Sequence, residues 1–149
     1  MDCAQQDVIE LFEYASQRLT NRMAGLSDEE WAWQPIPGNA EVTIRWRLDH
    51  IIETLTDNRN CDWLGVQPSG QPVPGPAVSA AEAVAALAHA ANEFARVTRE
   101  LGDAAAEEIG EAAGPYGDST RRSFVLHITD ELIHHAAETA LLRDLYAAR

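Results

Sequence analysis

The C-terminal part of the chain carries glutamate and histidine at a spacing that could bind a metal ion. Glu131 and His135 are four residues apart, and on a helix such residues share a face, one turn from each other. A carboxylate oxygen and an imidazole nitrogen are ligands that zinc, nickel or iron accepts. Two ligands from one helix do not make a tight site, so a third ligand must come from a facing helix.

His50 is the candidate for the third ligand. It lies in W-R-L-D-H-I-I-E, beside the apolar residues Leu48 and Ile51. A histidine at the edge of a core-facing stripe projects into a helical bundle, where metal sites are built from facing helices. Three protein ligands would leave the open position that is typical of a catalytic site. Histidines beside apolar stripes and Glu–His pairs on helices are also common without a metal, so spacing alone leaves both interpretations open.

Two further residues of the last predicted helix flank this pair. His127 is one turn before Glu131 and could orient the ligands or line a pocket. Glu138 follows His135 by three residues and could support the ligands or pair with Arg143 or another arginine. We identify no general base and leave Glu138, His127 and Tyr116 as candidates.

The remaining candidate groups lie further away in the sequence. Trp46, one turn before the predicted ligand of the second helix, could form a wall of the metal pocket, and Tyr116, in the loop before the last helix, could cover it. His134 points about 100° away from its neighbour and is predicted to lie on the flank. His89 is predicted to be at the surface or half-buried, and Cys61 to be a buried or half-buried thiol.

The hydrophobic pattern predicts four helices and no strand. Apolar residues recur at helical spacing, a Pro- and Gly-rich loop at 65–76 separates two of the helices, and Ser27 with Glu30 forms a capping-box pattern for one short turn. We therefore predict an all-α chain, a single domain over 1–149, folded as an up-down-type four-helix bundle with the metal site between the second and fourth helices. The predicted helices cover residues 7–24, 43–63, 79–101 and 120–147.

The composition excludes several classes of partner. The chain has 149 residues with 24 acidic and 11 basic side chains, and its formal net charge is -13. Nucleic acids and anionic membranes are disfavoured because binding them needs clustered basic residues. We see neither a transmembrane run nor a secretory signal, and the two cysteines are too few for a disulfide scaffold. Cys3 is expected in a frayed end, and a reducing cytoplasm is the simplest location.

Two motifs together resemble the DinB/YfiT-like superfamily. The last predicted helix resembles the last-helix signature of that superfamily in the stretch V-L-H-I-T-D-E-L-I-H-H-A-A-E-T-A-L-L-R-D-L-Y. The second predicted helix resembles the superfamily's second-helix segment, where the first metal ligand of the family lies, in the stretch I-R-W-R-L-D-H-I. An aromatic-proline lead-in of actinobacterial members matches W-A-W-Q-P-I-P-G. The similarity runs from about residue 11 to residue 146. It implies a four-helix bundle with a divalent metal in one end of the core.

The resemblance also implies a ligand set. Many members use three histidines, with the last two spaced H-x-x-x-H, whereas this chain has E-x-x-x-H. A His, Glu, His set resembles the mycothiol-dependent maleylpyruvate isomerase branch. Carried onto this chain, the ligands would be His50, Glu131 and His135, with zinc as the expected metal and nickel or iron as alternatives.

Three kinds of function follow from the resemblance. The first is a thiol-dependent S-transferase or isomerase, in which a low-molecular-weight thiol (mycothiol, bacillithiol or glutathione) attacks a small electrophile. The second is a metal-dependent hydrolase that uses a metal-bound water. The third is a non-catalytic metal-binding bundle. A homodimer and a small-molecule substrate are expected by resemblance.

Overall fold

The computed structural model describes residues 1–149, which form α-helices, two 3-10 helices and loops. The 3-10 helices span Gly102–Ala106 and Glu111–Tyr116, and the only β-type pairing is one isolated bridge between Glu108 and Thr120. The predicted all-α class is therefore confirmed. None of the helices combines the length and apolar character needed to cross a membrane. The six α-helices are α1 (Cys3–Arg22), α2 (Asp28–Ala32), α3 (Ile44–Thr56), α4 (Asn58–Leu64), α5 (Ala80–Leu101) and α6 (Arg121–Ala148).

The first helix begins four residues earlier than predicted. Asp2 is its N-cap, and the Asp2 carboxylate accepts a hydrogen bond of 2.7 Å from the backbone N–H of Gln5. Such a cap satisfies a donor that has no partner inside the helix. Cys3 is exposed and lies in the first helical turn.

The second predicted helix is divided at Asp57 into α3 and α4. The Asp57 carboxylate accepts a hydrogen bond of 2.9 Å from the backbone N–H of Arg59, which starts a new helix. The buried Asn60 amide donates to the carbonyls of Thr54 and Leu55, at 2.9 and 3.3 Å. These bonds satisfy backbone groups that the break would otherwise leave without partners.

Ion pairs at both ends of α1 show that α1 and α6 run in the same direction. Asp2 pairs with Arg122 near the start of both helices, and Arg22 pairs with Asp144 near their ends. Both α1 and α3 pack against α5 and α6, so the four long helices form a ring with α1 diagonally opposite α3. The predicted four-helix bundle is confirmed.

The helix directions differ from the predicted up-down order. Arg47 near the start of α3 pairs with Glu138 in the second half of α6, and Gln5 near the start of α1 donates to the Thr98 carbonyl near the end of α5. Hence α1 and α6 run one way, and α3 and α5 run the other. The loop at 65–79 permits this, because an extended segment of that length spans up to about 50 Å and can return along the bundle.

One contiguous core of 31 buried apolar residues holds the four helices together. Phe12 of α1 meets Phe94 of α5 with ring centroids 5.0 Å apart. Leu48 of α3 and Ile128 of α6 are each 0% exposed. Burying a side chain of this size stabilises the fold by about 1.5–3 kcal/mol. The core thus fixes α3 against α6, the two helices that carry the predicted metal ligands.

The short helix α2 is tied to α6 through one half-buried ion pair. The predicted capping box is confirmed, with Ser27 and Glu30 each accepting a hydrogen bond of 3.1 Å from the backbone N–H of the other. Arg143 donates to Glu30 Oε1 at 3.2 Å and also to the carbonyls of Arg22 and Ala24. Arg143 therefore locks the segment between α1 and α2 onto α6.

Replacing Glu30 with glutamine is expected to lower the free energy of unfolding near neutral pH by about 1.5 kcal/mol, a typical value for a charged hydrogen bond. Burial raises the pKa of Glu30, but the hydrogen bonds from Ser27 and the charge of Arg143 outweigh it, so the pKa lies below its usual value of 4.5. The stabilisation is present above that value and is lost as pH falls through the lowered pKa. Urea unfolding measures the free energy of unfolding of both proteins, and the difference between them should therefore shrink as the pH falls from about 7 to about 3. A Glu29→Gln control should match the wild type, and a constant difference at every pH would contradict the assignment.

Candidate metal centre

The structure brings His50, Glu131 and His135 together at the contact between α3 and α6. One ligand atom from each residue lies within 4.8 Å of the other two. His135 Nε2 is 3.4 Å from Glu131 Oε2, and the His50 and His135 rings meet edge to face with centroids 4.6 Å apart. Ligands at 2.0–2.2 Å from a tetrahedral zinc ion are separated by about 3.4 Å. The donor set and its spacing therefore fit a divalent ion.

Helical geometry explains how two of these residues face the same point. Glu131 and His135 are one turn apart on α6, and their side chains are 36% and 12% exposed. The spacing places both on the face that packs against α3. A low-dielectric surrounding strengthens the attraction between a cation and a carboxylate. The apolar residues that pack around this contact are Ile51, Leu55, Ile128 and Leu132.

Glu138 orients His135 from the side opposite to Glu131. Glu138 Oε2 lies 3.2 Å from His135 Nδ1, and Arg47 Nε lies 2.7 Å from the same oxygen. Burial raises the pKa of Glu138, but the hydrogen bond from His135 and the charge of Arg47 outweigh it and lower the pKa overall. In the tautomer with the proton on Nδ1, that proton is donated to the ionised Glu138 and the Nε2 lone pair faces Glu131. Carboxylate–histidine pairs of this kind fix the tautomer and orientation of metal ligands.

The arginine at Glu138 is Arg47 rather than Arg143. Arg47 lies on α3, directly across the contact, whereas Arg143 reaches Glu30. The prediction named Arg143 or another arginine, and only the fold decides, because Arg47 and Glu138 are far apart in the sequence. Arg47 is the residue of the candidate centre that the sequence analysis missed.

Trp46 forms a wall beside His50. Its indole stacks on the His50 ring with centroids 4.9 Å apart and an interplanar angle of 11°, and it meets the His135 ring edge on at 6.5 Å. The Thr54 hydroxyl donates to the His50 carbonyl at 2.8 Å. Stacking limits the rotation of the His50 ring, so Trp46 lies where the sequence analysis expected a pocket wall.

A second possible group on α6 fits a metal less well. His134, His135 and Glu138 also have ligand atoms within 4.8 Å of one another. All three come from one helix, and Glu138 already pairs with the Arg47 guanidinium, whose positive charge opposes a cation. The His134 side chain is 62% exposed, as expected for a residue on the flank. We therefore take the group that spans α3 and α6 as the candidate centre.

Two of the predicted pocket residues lie outside this centre. Tyr116 is 64% exposed and packs toward Trp63, with ring centroids 6.3 Å apart, so it does not cover the metal centre as predicted. His127 is exposed and lines the same cleft as Tyr116. Each step of four residues turns a helix by 400°, so two steps rotate His127 by about 80° from His135. His127 is thus a pocket residue of a neighbouring cleft, one turn from Glu131.

The other chemically reactive side chains are remote from the centre. Cys61 is half-buried and lies with His89 in a separate cavity beside α5. Burial raises the pKa of the Cys61 thiol. A thiol with a raised pKa is a poor nucleophile near neutral pH. Cys61 is thus a half-buried thiol as predicted, and the prediction that His89 lies at the surface or is half-buried also holds.

Replacing Glu138 with glutamine is expected to weaken zinc binding by about 10- to 100-fold, the usual cost of losing a hydrogen-bonded partner of a metal ligand. The amide keeps the size of the side chain but loses the charge that holds the His135 proton. Competition with a chelating dye measures the affinity. Glu93→Gln, which removes a carboxylate paired with Arg96 on α5, is the matched control. Equal affinities for wild type and the Glu138 variant would show that Glu138 has no such role.

Comparison with known proteins agrees with the fold. No curated protein and no solved structure shows a significant match to the chain. A sequence model described as DinB superfamily matches residues 11–139, a range that contains all three residues of the candidate centre. Together with the all-helical bundle and its His–Glu–His group, this match shows that the chain belongs to the DinB superfamily.

Proposed function

We propose that this protein is a divalent-metal-dependent enzyme that joins a low-molecular-weight thiol to a small electrophile, as an S-transferase or isomerase. In this proposal His50, Glu131 and His135 hold the metal, with zinc as the expected ion and a mycothiol- or bacillithiol-type thiol as cosubstrate. The observation that carries the proposal is the meeting of these ligands from two helices, with Nε2 and Oε2 of the α6 pair 3.4 Å apart. A three-ligand set leaves room for a fourth group.

The residues around the ligands fix the geometry of the site. When bound, a divalent ion supplies a Lewis acid that lowers the pKa of a coordinated thiol or water. Glu138 keeps the His135 Nε2 lone pair directed at the site, and Arg47 holds Glu138 in place. Trp46 stacks on His50 and excludes water from one face of its ring. These contacts pre-organise the ligands before any metal binds.

The absence of a free base beside the ligands favours a thiol over water. Glu138 is engaged by Arg47 and His135, and the hydroxyls of Thr54 and Thr139 donate to backbone carbonyls. No protein nucleophile contacts the centre. The nucleophile would then come from a small molecule, and a thiol ionises near pH 8.5 unassisted, whereas bulk water, with a pKa of about 15.7, depends wholly on the metal to ionise near neutral pH.

The experiment compares two reactions on zinc-loaded protein. We expect about one zinc per chain and zinc-dependent conjugation of a thiol to 1-chloro-2,4-dinitrobenzene, both lost in His135→Ala. Hydrolysis of 4-nitrophenyl acetate without added thiol, in the absence of conjugation, would instead support the hydrolase. Bound zinc with neither activity would support the non-catalytic metal-binding bundle. Metal-free wild-type protein after expression with added metal would contradict the proposal itself.

A further inference from the structure

A cleft of about 370 Å³ continues the contact between α3 and α6 beyond the candidate metal centre. α3 runs antiparallel to α6, and Trp63 of α4 contacts Phe124 of α6, so residues after His50 face residues before Glu131. His127, which lines the cleft, is about 6 Å along the axis of α6 from Glu131. The cleft therefore lies next to the metal centre. Its lining residues are Arg59, Trp63, Ile109, Tyr116, Ser119, Ser123, Phe124 and His127.

Arg59 gives this cleft a positive charge that no acidic side chain cancels. Its guanidinium lies over the rings of Trp63 and Phe124, 5.1 and 5.4 Å from their centroids, and makes no ion pair. No aspartate or glutamate is among the lining residues. Acidic residues outnumber basic ones by 24 to 11 in the chain, so an arginine without a carboxylate partner in a concave site is notable. Its planar set of donors matches a carboxylate in two parallel hydrogen bonds.

Aromatic rings form the walls around this charge. Trp63 contacts Phe124 with centroids 4.7 Å apart and an interplanar angle of 49°, and Tyr116 lies 6.3 Å from Trp63. Tyr116 is 64% exposed, so its ring is available to a ligand. Aromatic walls with a few polar groups are typical of small-molecule sites of about 300–1,000 Å³. The hydroxyls of Ser119 and Ser123 are the remaining polar groups on the wall.

We propose that this cleft binds a planar aromatic carboxylate, with the carboxylate on Arg59 and the ring against Trp63 and Tyr116. Binding of such a ligand does not depend on the proposed function. The inference rests on that function only where it identifies the ligand as the electrophilic substrate, and the reacting end of the substrate would then point toward Glu131. Offset stacking on Trp63 or Tyr116 and the bidentate contact to Arg59 select for a flat ring and a negative charge together.

The test is calorimetric titration of metal-free protein with benzoate, compared with benzyl alcohol and acetate. We expect benzoate to bind at millimolar concentration or better, with each comparison compound weaker by about tenfold or more. Arg59→Gln should weaken benzoate binding by a similar factor, and Tyr116→Ala should also weaken it. Arg18→Gln is the matched control, because Arg18 also lies over one aromatic ring, that of Tyr14, without an ion pair.

Two results would overturn the inference. One is no heat of binding for the wild type up to about 10 mM benzoate, and the other is equal affinity for wild type and Arg59→Gln. Circular dichroism of Arg59→Gln checks its fold, which should be kept because the side chain is exposed. His135→Ala should keep benzoate binding while losing zinc. Zinc binding thus tests the proposed metal centre, and benzoate binding separately tests the proposed ligand site in the cleft.

Discussion

A His50→Ala variant is expected to bind zinc at least about a hundredfold more weakly than the wild type. Both possible metal groups include His135, so a His135 variant cannot separate them. His50 belongs only to the group that spans α3 and α6, and His134 only to the group within α6. The expected result for His134→Ala is therefore an affinity close to that of the wild type.

The magnitude follows from the number of ligands. Zinc bound by four side chains in zinc-finger peptides has an apparent binding free energy of about 10–16 kcal/mol, or about 3 kcal/mol for each ligand. A loss of about 3 kcal/mol corresponds to a factor of about 100 or more. His50 is held by Trp46 at 4.9 Å, so its imidazole is already oriented, and its removal leaves two ligands from one helix.

Competition with a chelating dye gives both affinities, and thermal unfolding of the metal-free proteins checks that the variants fold. His134 is the matched control because it is the same residue type and also contacts Glu138, at 2.6 Å, but its side chain is 62% exposed. Loss of zinc in His134→Ala together with retention in His50→Ala would assign the metal to α6 alone and contradict the proposed centre.

A Phe12→Ala variant is expected to lose about 3–5 kcal/mol of the free energy of unfolding. Phe12 is 0% exposed and packs on Phe94 of α5 with ring centroids 5.0 Å apart. Truncation removes buried apolar surface and leaves a cavity that the surrounding helices fill only in part. Since a domain of this size has a total stability of about 5–15 kcal/mol, the change is large.

Urea unfolding at neutral pH measures this effect. Tyr14→Ala on the same helix is the control, because Tyr14 is 66% exposed and its removal should change the stability by about 0.5 kcal/mol or less. A Phe12→Ala variant within about 1 kcal/mol of the wild type would show that α1 and α5 do not pack as the structure describes.

Local sequence signals located the helices and the residues at the candidate site. The i, i+4 spacing of Glu131 and His135 and the apolar residues beside His50 were enough to name the three residues that the structure brings together. Each signal lies within one helix and depends only on helical periodicity. The capping box at Ser27 and Glu30 is equally local, and it was predicted correctly.

Features that depend on contacts between helices could not be predicted from local sequence signals. The sequence contains no local sign that Arg47 reaches Glu138 or that α1 and α6 run parallel, because these follow from how the loops cross the bundle. The break at Asp57 had a local signal, an aspartate in a capping position, but the prediction of one helix over residues 43–63 did not use it. Tyr116 was misplaced because its position depends on the path of the 3-10 helices before α6.

X-ray absorption spectroscopy of the zinc-loaded protein tests the central claim most directly. The account predicts about one zinc per chain bound by two imidazole nitrogens and one carboxylate at about 2.0–2.2 Å, with no sulfur. In protein prepared without any low-molecular-weight thiol, a zinc–sulfur distance of about 2.3 Å, which would then require a cysteine ligand, or fewer than two imidazoles would contradict it.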